Sequence, residues 1–165
     1  MFSLVNASKT TIECTTATRT LARAIAVSCG EFSLLLACCN SLQRQRDAVS
    51  LLKEFSSTNI RQITLSPTSD TLYSTIVKNL DGKNPEALMI HGLESVIAIN
   101  NLIASTNLMR DELRKKFDFP LVLWVNDEIL RKLVWLAPDL KDWAASTIRF
   151  DVVNSHRSQQ HQLSA

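Results

Sequence analysis

The sequence predicts an α/β fold, a three-layer sandwich with a mainly parallel sheet of about five strands between two layers of helix. Three observations predict it. Apolar runs alternate with amphipathic stretches about five times, at the roughly thirty-residue spacing of strand–helix–strand units. Most of these runs are continuous in apolar character, as in strands covered on both faces. With 3 Gly and 4 Pro in 165 residues, the chain lacks the turn residues of an all-β protein.

Three regions are expected: an N-terminal helix region over 1–29, an α/β core domain over 30–153 and a tail over 154–165. Met1 to Lys9 is expected to be loosely held. Thr10 to Ser28 reads as helix, with Leu21, Ala24, Ile25 and Ser28 on one face, and Gly30 stops it. Phe32 to Ala37 is the first strand. Ser41 is placed to cap the following helix, whose stripe is Ala48, Val49, Leu52 and Phe55. Ile60 to Leu65 alternates apolar and polar, as an outer strand does. Asp70 is placed to cap a helix carrying Leu72, Tyr73, Ile76, Val77 and Leu80, and Asp81-Gly82-Lys83-Asn84-Pro85 makes the clearest turn.

Ala87 to Ile90 is another strand, ending in His91-Gly92. One long helix is expected from about Ser95 to Lys116, and its basic last turn of Arg114, Lys115 and Lys116 suits the helix dipole. Phe119 to Val125 is the strongest strand. Asn126-Asp127 closes it and caps a helix carrying Leu130, Leu133 and Val134, which Pro138 breaks. Thr147 to Val152 reads as the last strand. Asn154 to Ala165, rich in Ser, Gln and His, is expected to be disordered.

Lys and Arg number 18 against 16 Asp and Glu, a balance that sets up no strong field for nucleic acid or a membrane. A basic surface from Arg110, Arg114, Lys115, Lys116, Arg131 and Lys132 is interrupted by Asp111, Glu112, Asp118, Asp127 and Glu128, which argues against nucleic acid as partner. Cys14, Cys29, Cys38 and Cys39 form no C-x-x-C pair and read as reduced thiols. No apolar run reaches membrane-span length and no secretory leader is evident, so the expected location is cytoplasmic. Neither Gly-x-Ser-x-Gly nor Gly-x-Gly-x-x-Gly occurs, and His91, His156 and His161 show no metal-ligand spacing, so no metal site is expected.

In a parallel sheet, ligands sit at the carboxyl ends of strands near a switch point. The first such end, Phe32 to Arg44, has the strand-to-helix layout of a phosphate-binding loop but no glycine. Setting Cys38 at the first glycine of G-x-x-x-x-G-K-[ST] puts Gln43 at the second, Arg44 at the lysine and Gln45 at the hydroxyl. Cβ atoms at these places crowd the backbone cradle that phosphate needs. His91 stands where an apolar strand would end in a magnesium-holding acid, and Glu94 follows it. Each residue also has a simpler role: Arg44 solvated on a first helical turn, His91 hydrogen-bonded at a strand end, Asn126 as a cap. The pattern predicts a scaffold without catalytic residues and without a cofactor. Under the alternative, Asn40, Ser41, Arg44, His91, Glu94 and Asn126 would surround ATP and magnesium.

Asn107-Leu108-Met109-Arg110-Asp111-Glu112-Leu113, then Phe119 to Asp127, then Leu136-Ala137-Pro138-Asp139-Leu140-Lys141-Asp142-Trp143, resembles STAND-type NTPase-like domains. These occur in large bacterial, often cyanobacterial, proteins with tetratricopeptide or similar repeats. Cys39-Asn40-Ser41 and Ile90-His91-Gly92-Leu93-Glu94 are similar to the degenerate nucleotide-loop and Walker B regions of such proteins. The resemblance spans Gly30 to Val152. It implies a P-loop-NTPase-like or Rossmann-like sheet, Asn126 where related ATPases sense the terminal phosphate, and signalling or regulatory company. The repeat region, helical lid and effector domain of that family are missing from this sequence. The expected role is therefore that of a non-catalytic module binding another protein, either itself or a larger multidomain relative. Trp135, Leu136, Leu140 and Trp143 are the candidate contact residues.

Overall fold

The computed structural model describes residues 2–144 and 147–151, with side chains from residue 12 onward. The most apolar strand takes the centre of the sheet. β4 (Pro120–Val125) is buried at every position and lies between β1 (Ser33–Cys38) and β3 (Ala87–His91). β2 (Ile60–Thr64), which alternates in polarity, lies at the edge beside β3, and β5 (Thr147–Arg149) forms the other edge beside β1. The sheet expected to be mainly parallel is parallel at every pairing, in the order β2-β3-β4-β1-β5.

Crossover direction sorts the helices. The connection from β1 to β2 crosses the sheet one way, and every later connection crosses the other way. With right-handed crossovers these must lie on opposite faces. Accordingly α1 (Phe2–Val27) and α2 (Leu42–Phe55) share one face, where Leu21, Ile25, Ala48 and Leu52 pack on Ala37, Met89 and Trp124. The opposite face carries α3 (Leu72–Leu80), α4 (Ile99–Leu108), α5 (Arg110–Lys116), α6 (Asp127–Leu136) and α7 (Pro138–Trp143). There Ile76, Leu102, Leu133 and Leu140 pack on Leu36, Ile90 and Leu123. No helix among the described residues is long and apolar enough to cross a membrane.

Several elements differ from the sequence expectation. α1 begins at Phe2, not Thr10. The buried stripe of α2 is Gln45, Ala48 and Leu52, while Phe55 is partly exposed, because the helix is rotated toward Trp124 and His91. Thr71, not Asp70, caps α3, accepting from the Ser74 N–H at 3.2 Å. The single long helix is broken at Met109 into α4 and α5, preceded by a 3-10 turn at Leu93–Ser95. At the break the Arg110 guanidinium donates to the Asn107 carbonyl at 2.6 Å, a carbonyl that a continuous helix would bond to backbone. Pro138 does more than stop α6: it occupies the first turn of α7, where its missing N–H costs nothing. β5 ends at Arg149, and the 154–165 tail lies outside the described residues.

Candidate functional site

The chain leaves β1 toward α2 on one face of the sheet and leaves β4 toward α6 on the other. Adjacent strand ends therefore part, and a switch-point crevice opens between Cys38-Cys39-Asn40 and Val125-Asn126-Asp127. Three residues, Cys39, Asn40 and Ser41, join β1 to α2. Ser41 caps α2 by accepting from the Arg44 N–H at 3.3 Å, so Gln43 and Arg44 are already helical. Asn126 likewise caps α6, accepting from the Ile129 N–H at 2.8 Å.

The crevice is filled by side chains of its own chain. Asn40 donates its amide to Asp127 at 2.9 Å and accepts the Asp127 N–H at 2.9 Å. Arg149, at the end of β5, donates to the same carboxylate at 2.8 Å. The backbone N–H of Asn40 donates to the Asp151 carboxylate at 2.7 Å. Hydrogen bonds from Arg149 and then Asn40 hold the Asp127 carboxyl below its usual range, and Asp127 in turn raises Arg149. Below them, burial and the neighbouring Asp127 push the Cys38 thiol up to about 12, and burial also raises Cys39. These thiols are packed neutral groups, far from the thiolate form that reacts.

His91 and Glu94 belong elsewhere. His91 projects onto the α2 face, where Gln45 donates to Nδ1 at 2.7 Å and Nε2 donates to Gln62 at 2.9 Å. Its ring stacks on Trp124, centroids 6.2 Å apart, and burial lowers its pKa. One accepting and one donating nitrogen is the pattern of a neutral imidazole. Glu94 is exposed on the 3-10 turn, and with His91 it lines a cleft of about 520 Å³ beside α2. Gly92 sets that turn: its φ is +85°, and a Cβ there would lie 3.1 Å from the Leu65 carbonyl oxygen.

No family model matches the chain, and no curated protein matches it. Among solved structures, its fold is similar to that of the ORC2 protein of Aeropyrum pernix in ADPNP–ADP complexes. The TM-score is 0.51 at 11% identity, over 92% of this chain and 50% of that one. The fold is P-loop-like. The likeness is one of fold alone, and this chain spans about half the length of that protein.

On this P-loop-like sheet the six nucleotide candidates of the sequence are divided. Asn40, Ser41 and Asn126 stand at the crevice and Arg44 lies half-buried on the first turn of α2, but His91 and Glu94 line the separate cleft. The residues that organise the crevice, Asp127, Arg149 and Asp151, were not singled out as site residues. In the sequence Asp127 reads as part of a turn and cap and as one of the acids interrupting the basic surface. Arg149 and Asp151 carry no local signal, since their partners stand 22 and 111 positions away.

The contact candidates also divide. Trp135 is 84% exposed and Leu136 37%, with Val134 exposed beside them. Leu140 is a correction: it is 1% exposed, part of the core, because Asn107 accepts the Leu140 N–H at 2.9 Å and turns α7 inward. Arg110 adds an ion pair to Asp139 at 3.7 Å. Trp143 is half-buried, edge-on to Phe32 at 6.2 Å with the Arg114 guanidinium over its ring. The first and last of the three segments that carry the resemblance thus clamp α7 onto α4 and α5.

Proposed function

We propose that this chain is a P-loop-like module without nucleotide chemistry that acts by binding another protein, in bacterial signalling or regulation. The observation that carries this is the Asp151 carboxylate on the Asn40 N–H at 2.7 Å. A phosphate cradle offers unpaired backbone N–H groups and a cation. Here the N–H is taken, Asp127 engages Arg149, and an incoming phosphate would meet two carboxylates. The three-residue connection, each residue bearing a Cβ, has no length left to wrap a phosphate. The phosphates of ATP therefore do not fit the residues present. The signalling role is supported by the resemblance of the Asn107 to Trp143 segment, and the partner is a second copy or a larger relative. Trp135, 84% exposed on α6, supports contact through that helix.

Calorimetry with ATP, with and without magnesium, tests this. No binding heat is expected at millimolar ATP. Micromolar, magnesium-dependent binding would overturn the proposal and place Asn40, Ser41, Arg44 and Asn126 around the phosphates.

A further inference from the structure

The two faces of the sheet are unequally covered. A helix is about 10 Å wide and strands lie about 4.8 Å apart, so each helix covers about two strands. On their face α1 and α2 are thus too few for the five strands, and beyond Ile60, which packs half-buried against their core, edge strand β2 is left uncovered. Ile63 on the other face of β2 is buried, whereas Gln62 and Thr64 on this face are exposed. Clefts of about 520 and 210 Å³ run end to end along the strand, sharing Val49, Lys53 and Gln62.

The wall of this trough is one stripe of α2: Leu42, Arg46, Val49 and Lys53. Their spacing of four, three and four residues puts them on one helical face, apolar and basic in turn. From Leu42 to Lys53 the stripe is about 16 Å long, the length of three helical turns. Among the described residues no helix of this chain is free to fill the trough, since α3 to α7 lie across the sheet.

We propose that the trough receives an amphipathic helix of a partner protein, about three turns long. Its apolar residues pack on Leu42 and Val49, and its acidic residues face Arg46 and Lys53. The proposal rests on the protein-binding role above and assigns it a surface distinct from Trp135. Charge complementarity selects the occupant: the stripe carries two cations and no acid, and Glu94, the one acid among the residues lining the cleft, leaves that lining cationic.

A displayed library of about 14-residue amphipathic helices, random in charge, is selected on the full chain. Selected helices should carry acids seven residues apart beside an apolar row. The double variant Arg46→Glu, Lys53→Glu, at exposed or rim positions and checked for folding by circular dichroism, should weaken them about tenfold or more. Lys83→Glu, a charge reversal in the exposed turn after α3 and outside the trough lining, should leave them unchanged. Helices without acidic bias, or no selected helix at all, would overturn the trough. So would binding lost in Trp135→Ala but kept in the double variant, an outcome that leaves the protein-binding role standing on α6. Magnesium-dependent ATP binding by the same sample would instead defeat that broader role.

Discussion

The sheet has two openings, one at its carboxyl edge and one along edge strand β2, and they are occupied in different ways. Between β1 and β4, side chains from the far end of the chain close the crevice: Arg149 and Asp151 arrive with β5 and meet Asn40 and Asp127. Beside β2, nothing in the described chain arrives, and Gln62, Thr64 and Arg46 face an open trough. A strand flanked on both sides, as β1 is by β4 and β5, gathers polar groups from its neighbours. An edge strand has one neighbour and too few helices above it. The place where this fold usually takes a ligand is thus filled, and the place left open lies beside it.

The largest expected effect tests whether the crevice is closed. With its thiol pushed up from 9.0 to about 12, Cys38 carries about a thousandfold less thiolate near neutral pH than an unperturbed cysteine. Iodoacetamide at pH 8 should modify the exposed Cys29 and leave Cys38 unreacted, as read by peptide mass spectrometry. Equal labelling of the two would mean that the crevice opens readily.

Next comes the network itself. Asp127→Ala removes the acceptor shared by Asn40 and Arg149, and should lower urea-measured stability by about 1–2 kcal/mol. Its side chain is 44% exposed, so water replaces part of what is lost and keeps the effect at that modest size. Because the folded carboxyl lies below 3.8, its stabilisation is present above that pH and lost as pH falls through the lowered value. An Asp127→Ala chain as stable as its parent would remove the contrast between the two openings.

The smallest effect belongs to the floor of the trough. Burial lowers His91 from 6.5, so the unfolded chain takes up a proton first as pH falls. Stability from His91 is complete above pH 6.5 and declines below it, down to the folded value. Thermal melts from pH 7.5 to 5 should show a shallower decline in His91→Gln than in the parent. An identical decline would mean that His91 is not held neutral between Gln45 and Gln62.

How much of this was legible depended on the distance over which each feature is decided. Ser41 and Asn126 were readable as caps because a cap bonds to N–H groups within three residues. The Phe119 to Val125 run was readable as the strongest strand because burial on both faces demands continuous apolar character, and its central place in the sheet was not. Leu140 was not readable as core, since its burial depends on Asn107, 33 positions earlier. The break at Met109 escaped as well, because Arg110 capping a carbonyl leaves the apolar period almost unchanged. His91 was legible as a hydrogen-bonded strand-end residue, but its partners Gln45 and Gln62 were not.

By itself the sequence determined a parallel α/β sheet and a first loop without glycine, because strand burial, capping and backbone freedom are written in neighbouring residues. Only the tertiary structure decided what stands in that loop and what stands open beside it. Strand order brings Arg149 and Asp151 onto Asn40 and Asp127, and the hand of the crossovers leaves two helices over five strands. Both outcomes follow from contacts between residues far apart in the chain, which local periodicity does not encode.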